Sequence, residues 1–96
     1  MKIPDLDEIK KAAKTIKPYI HKTPVLSSSA INRITGAEIC FKCENFQKTG
    51  VFKIRGATNA LFSLSYAELK KGVATHSSGN HAAALALASK YGGTKV

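Results

Sequence analysis

Ninety-six residues suffice for one small domain and no more, and an apolar fraction of 44% is that of a globular chain rather than a disordered one. No run of about 18 apolar residues exists, which excludes a membrane-spanning helix, and the acids of Met1-Lys-Ile-Pro-Asp-Leu-Asp-Glu8 stand where a signal peptide needs an apolar core. A cytoplasmic location with no membrane partner is the expectation. The net charge of +9 raises nucleic-acid binding, but the cations are scattered from Lys2 to Lys95 with no basic stripe and no aromatic platform. No nucleic-acid partner is expected, and an acidic remainder elsewhere would account for the imbalance equally well.

Asp5 to about Lys17 reads as an amphipathic helix. Asp5 caps it with Glu8 as the box partner, and Leu6, Ile9, Ala13 and Ile16 form the apolar face until Pro18 ends it. His21-Lys-Thr-Pro24 is an extended connector, and Val25-Leu26 a short strand. Ser27-Ser-Ser29 opens a short helix through about Ile34, which Thr35-Gly36 terminates. The serines either cap that helix or hold an anion at its start. Ala37 to Glu44 reads as a strand with Ile39 and Phe41 on one face. Within it, alternation puts Cys40 and Cys43 on opposite faces, which argues for reduced strand residues against a zinc or redox pair; no metal site is expected. Asn45 to Gly50 is a polar loop.

From Lys53 onward the chain reads as a helix. At about 100° per residue, Ala57, Ala60, Leu61 and Leu64 gather on one side with Lys53 in its middle, while Arg55 points away as a solvated cation. Two readings of Lys53 stand. Its stem snorkels to water past the helix end, or its amine is desolvated, which exposes the lone pair and suits it to form a Schiff base with a carbonyl. Tyr66 to Lys71 is a short helical segment closed by Gly72, and Val73 to His76 a brief strand. Ser77-Ser-Gly-Asn80 is then a strand-to-helix turn before the alanine-rich run Ala82 to Ala88. Ser78 is the expected cap, Gly79 lets a ligand approach the backbone, and the free amides form an anion site suited to a carboxylate or phosphate. His81 is a base or a structural histidine. Tyr91-Gly-Gly93 ends the helix, and Thr94-Lys-Val96 looks like the opening of another strand. Alternating strands and helices point to a parallel α/β sheet, and so few strands give a poor core, so residues 1–96 are expected to be the front portion of a larger enzyme domain.

Two stretches carry a resemblance: Phe41-Lys-Cys-Glu-Asn-Phe-Gln-Lys-Thr-Gly-Val-Phe-Lys-Ile-Arg-Gly-Ala57 and Thr75-His-Ser-Ser-Gly-Asn-His-Ala82 closely resemble the start of the serine racemase and threonine/serine dehydratase family. Lys22-Thr-Pro-Val-Leu-Ser-Ser-Ser29 fits as well. These are pyridoxal-phosphate enzymes of the tryptophan-synthase-β fold, PLP fold type II. The resemblance implies that Lys53 forms the Schiff base with the cofactor, that Phe52 lies against its pyridine ring and that Asn80 hydrogen-bonds its 3′-oxygen. It implies that Ser77, Ser78, Gly79, Asn80 and His81 bind the substrate carboxylate, and that in racemising members Ser78 exchanges a proton on the face opposite the lysine. Ser28, Ser29, Ala30, Lys48 and Thr49 match positions that contact ATP in nucleotide-activated members, with Mg2+ as a further effector. Val51 departs from the serine often found two before the lysine, a change that reads as tuning.

The implied activity is that of an ammonia-lyase acting on a β-hydroxy amino acid to give a 2-oxo acid and ammonia, with serine racemisation as the alternative and a homodimer as the full-length assembly. The family's phosphate cup, its pyridine-nitrogen partner and its cation site come later in the chain. The 96 residues alone are therefore expected to hold the cofactor weakly and to lack turnover. A basic non-catalytic interaction module is the competing class, and its binding would fall steeply with salt. A non-catalytic regulatory paralogue is disfavoured by the intact Lys53 and Asn80.

Overall fold

The computed structural model describes residues 3–96; Met1 and Lys2, which begin the acidic leader and the list of scattered cations, lie outside the described residues. Helix α1 (Leu6–Ile16) starts on a complete capping box, in which the Asp5 carboxylate accepts from the Glu8 N–H at 2.9 Å and the Glu8 carboxylate from the Asp5 N–H at 2.9 Å. Only the end of its apolar face is covered: Ile16 is buried, whereas Leu6 and Ile9 stay exposed.

Strand β1 (Val25–Ser27), helix α2 (Ser29–Thr35) and strand β2 (Cys40–Lys42) follow. Ser28 caps α2, accepting from the Ile31 N–H, and Gly36 closes it at φ 68, a left-handed conformation that suits glycine. Two expectations are corrected here. The second strand covers three residues rather than Ala37 to Glu44, and the two strands pair antiparallel, Val25 with Lys42 and Ser27 with Cys40. Since Ser27 and Cys40 are direct partners, α2 and its flanking turns act as a long hairpin connection and bring the chain back alongside itself.

Two 3-10 turns, Glu44–Phe46 and Lys48–Gly50, replace the expected loop and lead into α3 (Lys53–Phe62). Helix α4 (Tyr66–Lys71) carries its own capping box between Ser65 and Glu68. Val73 to His76 forms no strand, and neither does Thr94 to Val96. One backbone bond joins these extended segments, from the Val73 N–H to the Lys95 carbonyl at 2.9 Å. Helix α5 (Asn80–Gly92) ends on Gly93, again left-handed.

The core lies between α3 and α5. Ile54, Ala57 and Leu61 meet Ala84 and Ala88, and all five are buried. Small residues on α5 allow the close approach: a Cβ on Gly92 would stand 2.6 Å from Leu61 Cδ2. Tyr19 stacks on Phe62 with ring centroids 4.3 Å apart and tilts against Tyr91 at 5.5 Å, which ties the segment after α1 to the same helices.

This core is small for the chain. The radius of gyration is 16.3 Å, where a compact chain of this length has about 12.5 Å. The exposed surface is 7210 Å², against about 5,400 Å² for a compact monomer of this mass. Much of the surplus is apolar: Val25, Leu26, Ile34, Phe41, Phe46 and Phe52 are all exposed.

Candidate active site

The stripe that buries α3 is Ile54, Ala57, Thr58 and Leu61, one residue on from the expected face. The i, i+3, i+4, i+7 spacing starts at Ile54, because Ile54 is the first side chain that reaches α5. Lys53 stands just before that stripe at the head of the helix and is exposed rather than desolvated. Its Nζ lies 5.3 Å from the centroid of the Phe52 ring, which is itself exposed. A carbonyl compound in solvent can therefore reach the amine directly, beside a flat apolar surface.

The segment before Lys53 is anchored by a polar node. Glu44 accepts from Arg55 Nε at 2.8 Å and from Arg55 Nη2 at 2.7 Å, and from the Thr23 hydroxyl at 2.6 Å. Arg55 is thus no solvated cation: its fork clamps the exit of β2 to the first turn of α3. The Arg55 guanidinium and then the Thr23 hydroxyl hold the Glu44 carboxyl down at about 2, against burial, which raises it. Lys42 Nζ donates to the Thr23 carbonyl at 2.7 Å. Beside this node the buried Gln47 side chain pairs with the backbone of His21, accepting from its N–H and donating to its carbonyl, each at 2.8 Å. Its oxygen also accepts from the Lys48 N–H at 3.0 Å. The chain from Cys43 to Lys53 is therefore fastened at Glu44 and Gln47, and the position of Lys53 follows.

The Ser77–His81 stretch is open. Gly79, not Ser78, is the N-cap of α5, and no side chain caps it. Ser77 Oγ accepts from the Gly79 N–H at 3.3 Å. Ser78, Gly79, Asn80 and His81 are exposed, and the Ser78 hydroxyl makes no hydrogen bond within the described residues. The reason Ser78 does not cap is its place: Asn80 begins the helix, so the cap falls one residue later. The first-turn amides of α5 are left for a ligand, which fits a carboxylate. Lys53 and Asn80 open the two helices that share the core, and no hydrogen bond or ion pair joins Lys53 to Ser77–His81 within the described residues.

Of the positions matched to nucleotide contacts, Ser28 is occupied as the α2 cap, and Ser29 and Ala30 are exposed on its first turn. Lys48 Nζ accepts no free role here, since it donates to the Tyr91 hydroxyl at 3.0 Å and sits 4.9 Å from that ring's centroid. Thr49 takes φ 64, the left-handed region, which is uncommon for a β-branched residue. Cys40 and Cys43 are free thiols, and among the described residues no group of three or more His, Cys, Asp or Glu comes together.

Sequence reasoning missed Thr23, Lys42, Glu44 and Gln47 as anchors. Thr23 and Glu44 are 21 residues apart and His21 and Gln47 are 26 apart, and no local period marks such pairs. The one available signal was the acid–base pair Glu44 and Arg55 flanking Lys53 within a single motif.

The family model described as "Pyridoxal-phosphate dependent enzyme" matches residues 16–96. A serine racemase of Dictyostelium discoideum is 65% identical over 85 residues, covering 88% of this chain and 26% of that protein. A beta-hydroxyaspartate dehydratase of Paracoccus denitrificans is 54% identical over 88 residues, covering 92% of this chain and 28% of that one. The solved structure of maize serine racemase superposes with a TM-score of 0.91 at 54% identity, over 97% of this chain and 29% of that chain. The chain spans about a quarter of the length of the curated relatives it matches. The fold is accordingly that of the tryptophan-synthase-β-like type II class, here with helices dominating the described residues.

Proposed function

The chain belongs to the pyridoxal-phosphate-dependent enzyme family, and from that premise we propose that it carries the lysine-bearing part of a site that racemises serine. The observation that supports this reading is that the segments opening α3 and α5 present an accessible amine, Lys53, and a hydroxyl, Ser78, that caps nothing and makes no hydrogen bond within the described residues. Racemisation needs two such groups, one to remove the α-proton and one to return it. β-Elimination to a 2-oxo acid and ammonia is the second reading. It needs only the first group, and the 54% identity to a dehydratase favours it.

Pyridoxal phosphate, when bound, supplies an electron sink for the negative charge left at the α-carbon. The residues proposed to hold it are Lys53 through its amine, Phe52 through its exposed ring and Asn80 through its side-chain amide. The uncapped amides of α5, with Ser77, Gly79 and His81, are proposed to bind the substrate carboxylate. Lys53 Nζ takes the α-proton, and Ser78 Oγ is the second proton carrier. ATP and Mg2+ are proposed effectors through Ser28, Ser29, Ala30, Lys48 and Thr49, in a homodimer. The 96 residues by themselves are proposed to hold the cofactor weakly.

A chimera in which these residues replace the matching stretch of the Dictyostelium discoideum serine racemase tests both the assignment and the chemistry. Borohydride reduction of that chimera with pyridoxal phosphate, followed by peptide mass mapping, should place the adduct on Lys53 and lose it in Lys53→Ala. Labelling spread over the surface lysines of the chimera would overturn the assignment. Ser78→Ala in that chimera should stop interconversion of L- and D-serine while pyruvate release persists. Racemisation that survives Ser78→Ala would overturn the role given to Ser78, and a parent chimera that releases pyruvate without interconverting the enantiomers would leave elimination as the better reading.

A further inference from the structure

Away from the Lys53 site, a cavity of about 390 Å³ opens between the end of α1, the connector after it, β2 and α3. Its lining is apolar at Ala13, Ile16 and Ile20 and cationic at Lys17, Lys22, Lys42 and Arg55. No carboxylate of the described residues lines it. Glu44 neutralises Arg55, and Lys42 Nζ is turned to the Thr23 carbonyl. Lys17 and Lys22 have no carboxylate partner among the described residues. None of the residues assigned to the cofactor, substrate or nucleotide lies in this lining.

We infer that this cavity binds a small amphiphilic anion, an apolar body with one anionic head. The volume falls in the range of small-molecule sites, which pair apolar walls with a few polar groups that fix orientation. The apolar side chains of the lining take the body from water, and the two lysines without a carboxylate partner meet the head, their charge not already spent on a protein acid. A bare inorganic anion lacks the body, and a neutral alcohol lacks the head, so neither should suffice.

The test is a titration of the isotopically labelled chain followed by amide NMR, with hexanoate as the probe and 1-hexanol and inorganic phosphate as controls. Hexanoate should give saturable shifts centred on Ala13, Ile16, Ile20 and Lys42, and each control should bind at least about tenfold more weakly. Lys17→Glu with Lys22→Glu should weaken hexanoate by about tenfold or more at low salt while the amide spectrum stays that of the folded chain. Ala13→Phe, which adds bulk to the apolar part of the lining, should abolish binding without touching the charges. Equal binding of hexanol would reduce the site to a greasy cleft, equal binding of phosphate to a cationic surface, and shifts scattered over the chain to no site at all; each of these overturns the proposal.

Discussion

Arg55 grips Glu44 with two parallel hydrogen bonds, Nε to Oε2 at 2.8 Å and Nη2 to Oε1 at 2.7 Å, and this fork fixes the start of the helix on which Lys53 stands. Both side chains are largely shielded, 31% and 18% exposed. Removing one partner leaves the other without its match. Glu44→Gln and Arg55→Met should each destabilise the chain by about 1–3 kcal/mol in urea unfolding. Arg55→Lys should recover only part of the loss, because an ammonium cannot make the two-pronged contact. A double substitution whose cost equals the sum of the singles would show that the pair does not interact.

Acid should unfold the protein through the same group. The Glu44 carboxyl is lowered from 4.5 to about 2, so it binds its proton less readily folded than unfolded. Its contribution is fully present above pH 4.5 and is lost as the pH falls from there toward 2, to a total of at most about 3 kcal/mol. Glu44→Gln should flatten that slope between pH 5 and pH 2 in thermal or urea unfolding. Some acid sensitivity should persist, since Ser65 holds Glu68 below its usual range as well. An unchanged slope in Glu44→Gln would contradict the assignment.

Thr49 is held at φ 64 just before Gly50. The left-handed region costs an ordinary L-residue about 1–2 kcal/mol and Asn less. Thr49→Asn should therefore raise stability, by about 0.5–1 kcal/mol, read as a higher urea midpoint with an unchanged slope. A loss of stability would mean that the Thr49 side chain makes a compensating interaction.

The hydroxyls of Thr58 on α3 and Ser89 on α5 are buried without a hydrogen-bond partner among the described residues. A buried polar atom left unpaired costs about 1–3 kcal/mol. Thr58→Val and Ser89→Ala should each stabilise the core, by about 1 kcal/mol, in the same unfolding experiment. Destabilisation by either change would place an ordered partner, such as a buried water, between the helices.

Local structure was legible wherever a short signal sufficed. The Asp5–Glu8 box, the Ser28 cap and the Gly36 and Gly93 stops all follow from residues within four positions of one another. The lysine motif and the Ser-Gly-Asn turn were legible by resemblance, and the family match over residues 16–96 agrees with it. The errors came where the partner is distant. The helical period locates a stripe only to within a residue, so it puts Lys53 on the buried face, whereas Ile54 makes the contact with α5. The helical pattern sends Arg55 to solvent because its acid sits eleven residues back, across two 3-10 turns.

The sequence by itself therefore determined the helices, the caps of α1 and α2, and the chemical types at the candidate site, since these rest on backbone propensity and on side-chain identity. Only the tertiary structure decided that β1 and β2 run antiparallel, that Lys53 is exposed, and that Glu44 and Gln47 fasten the loop in front of it. Those outcomes depend on which surfaces meet. Pairing and burial are set by contacts between residues twenty or more positions apart, for which no local pattern carries the information.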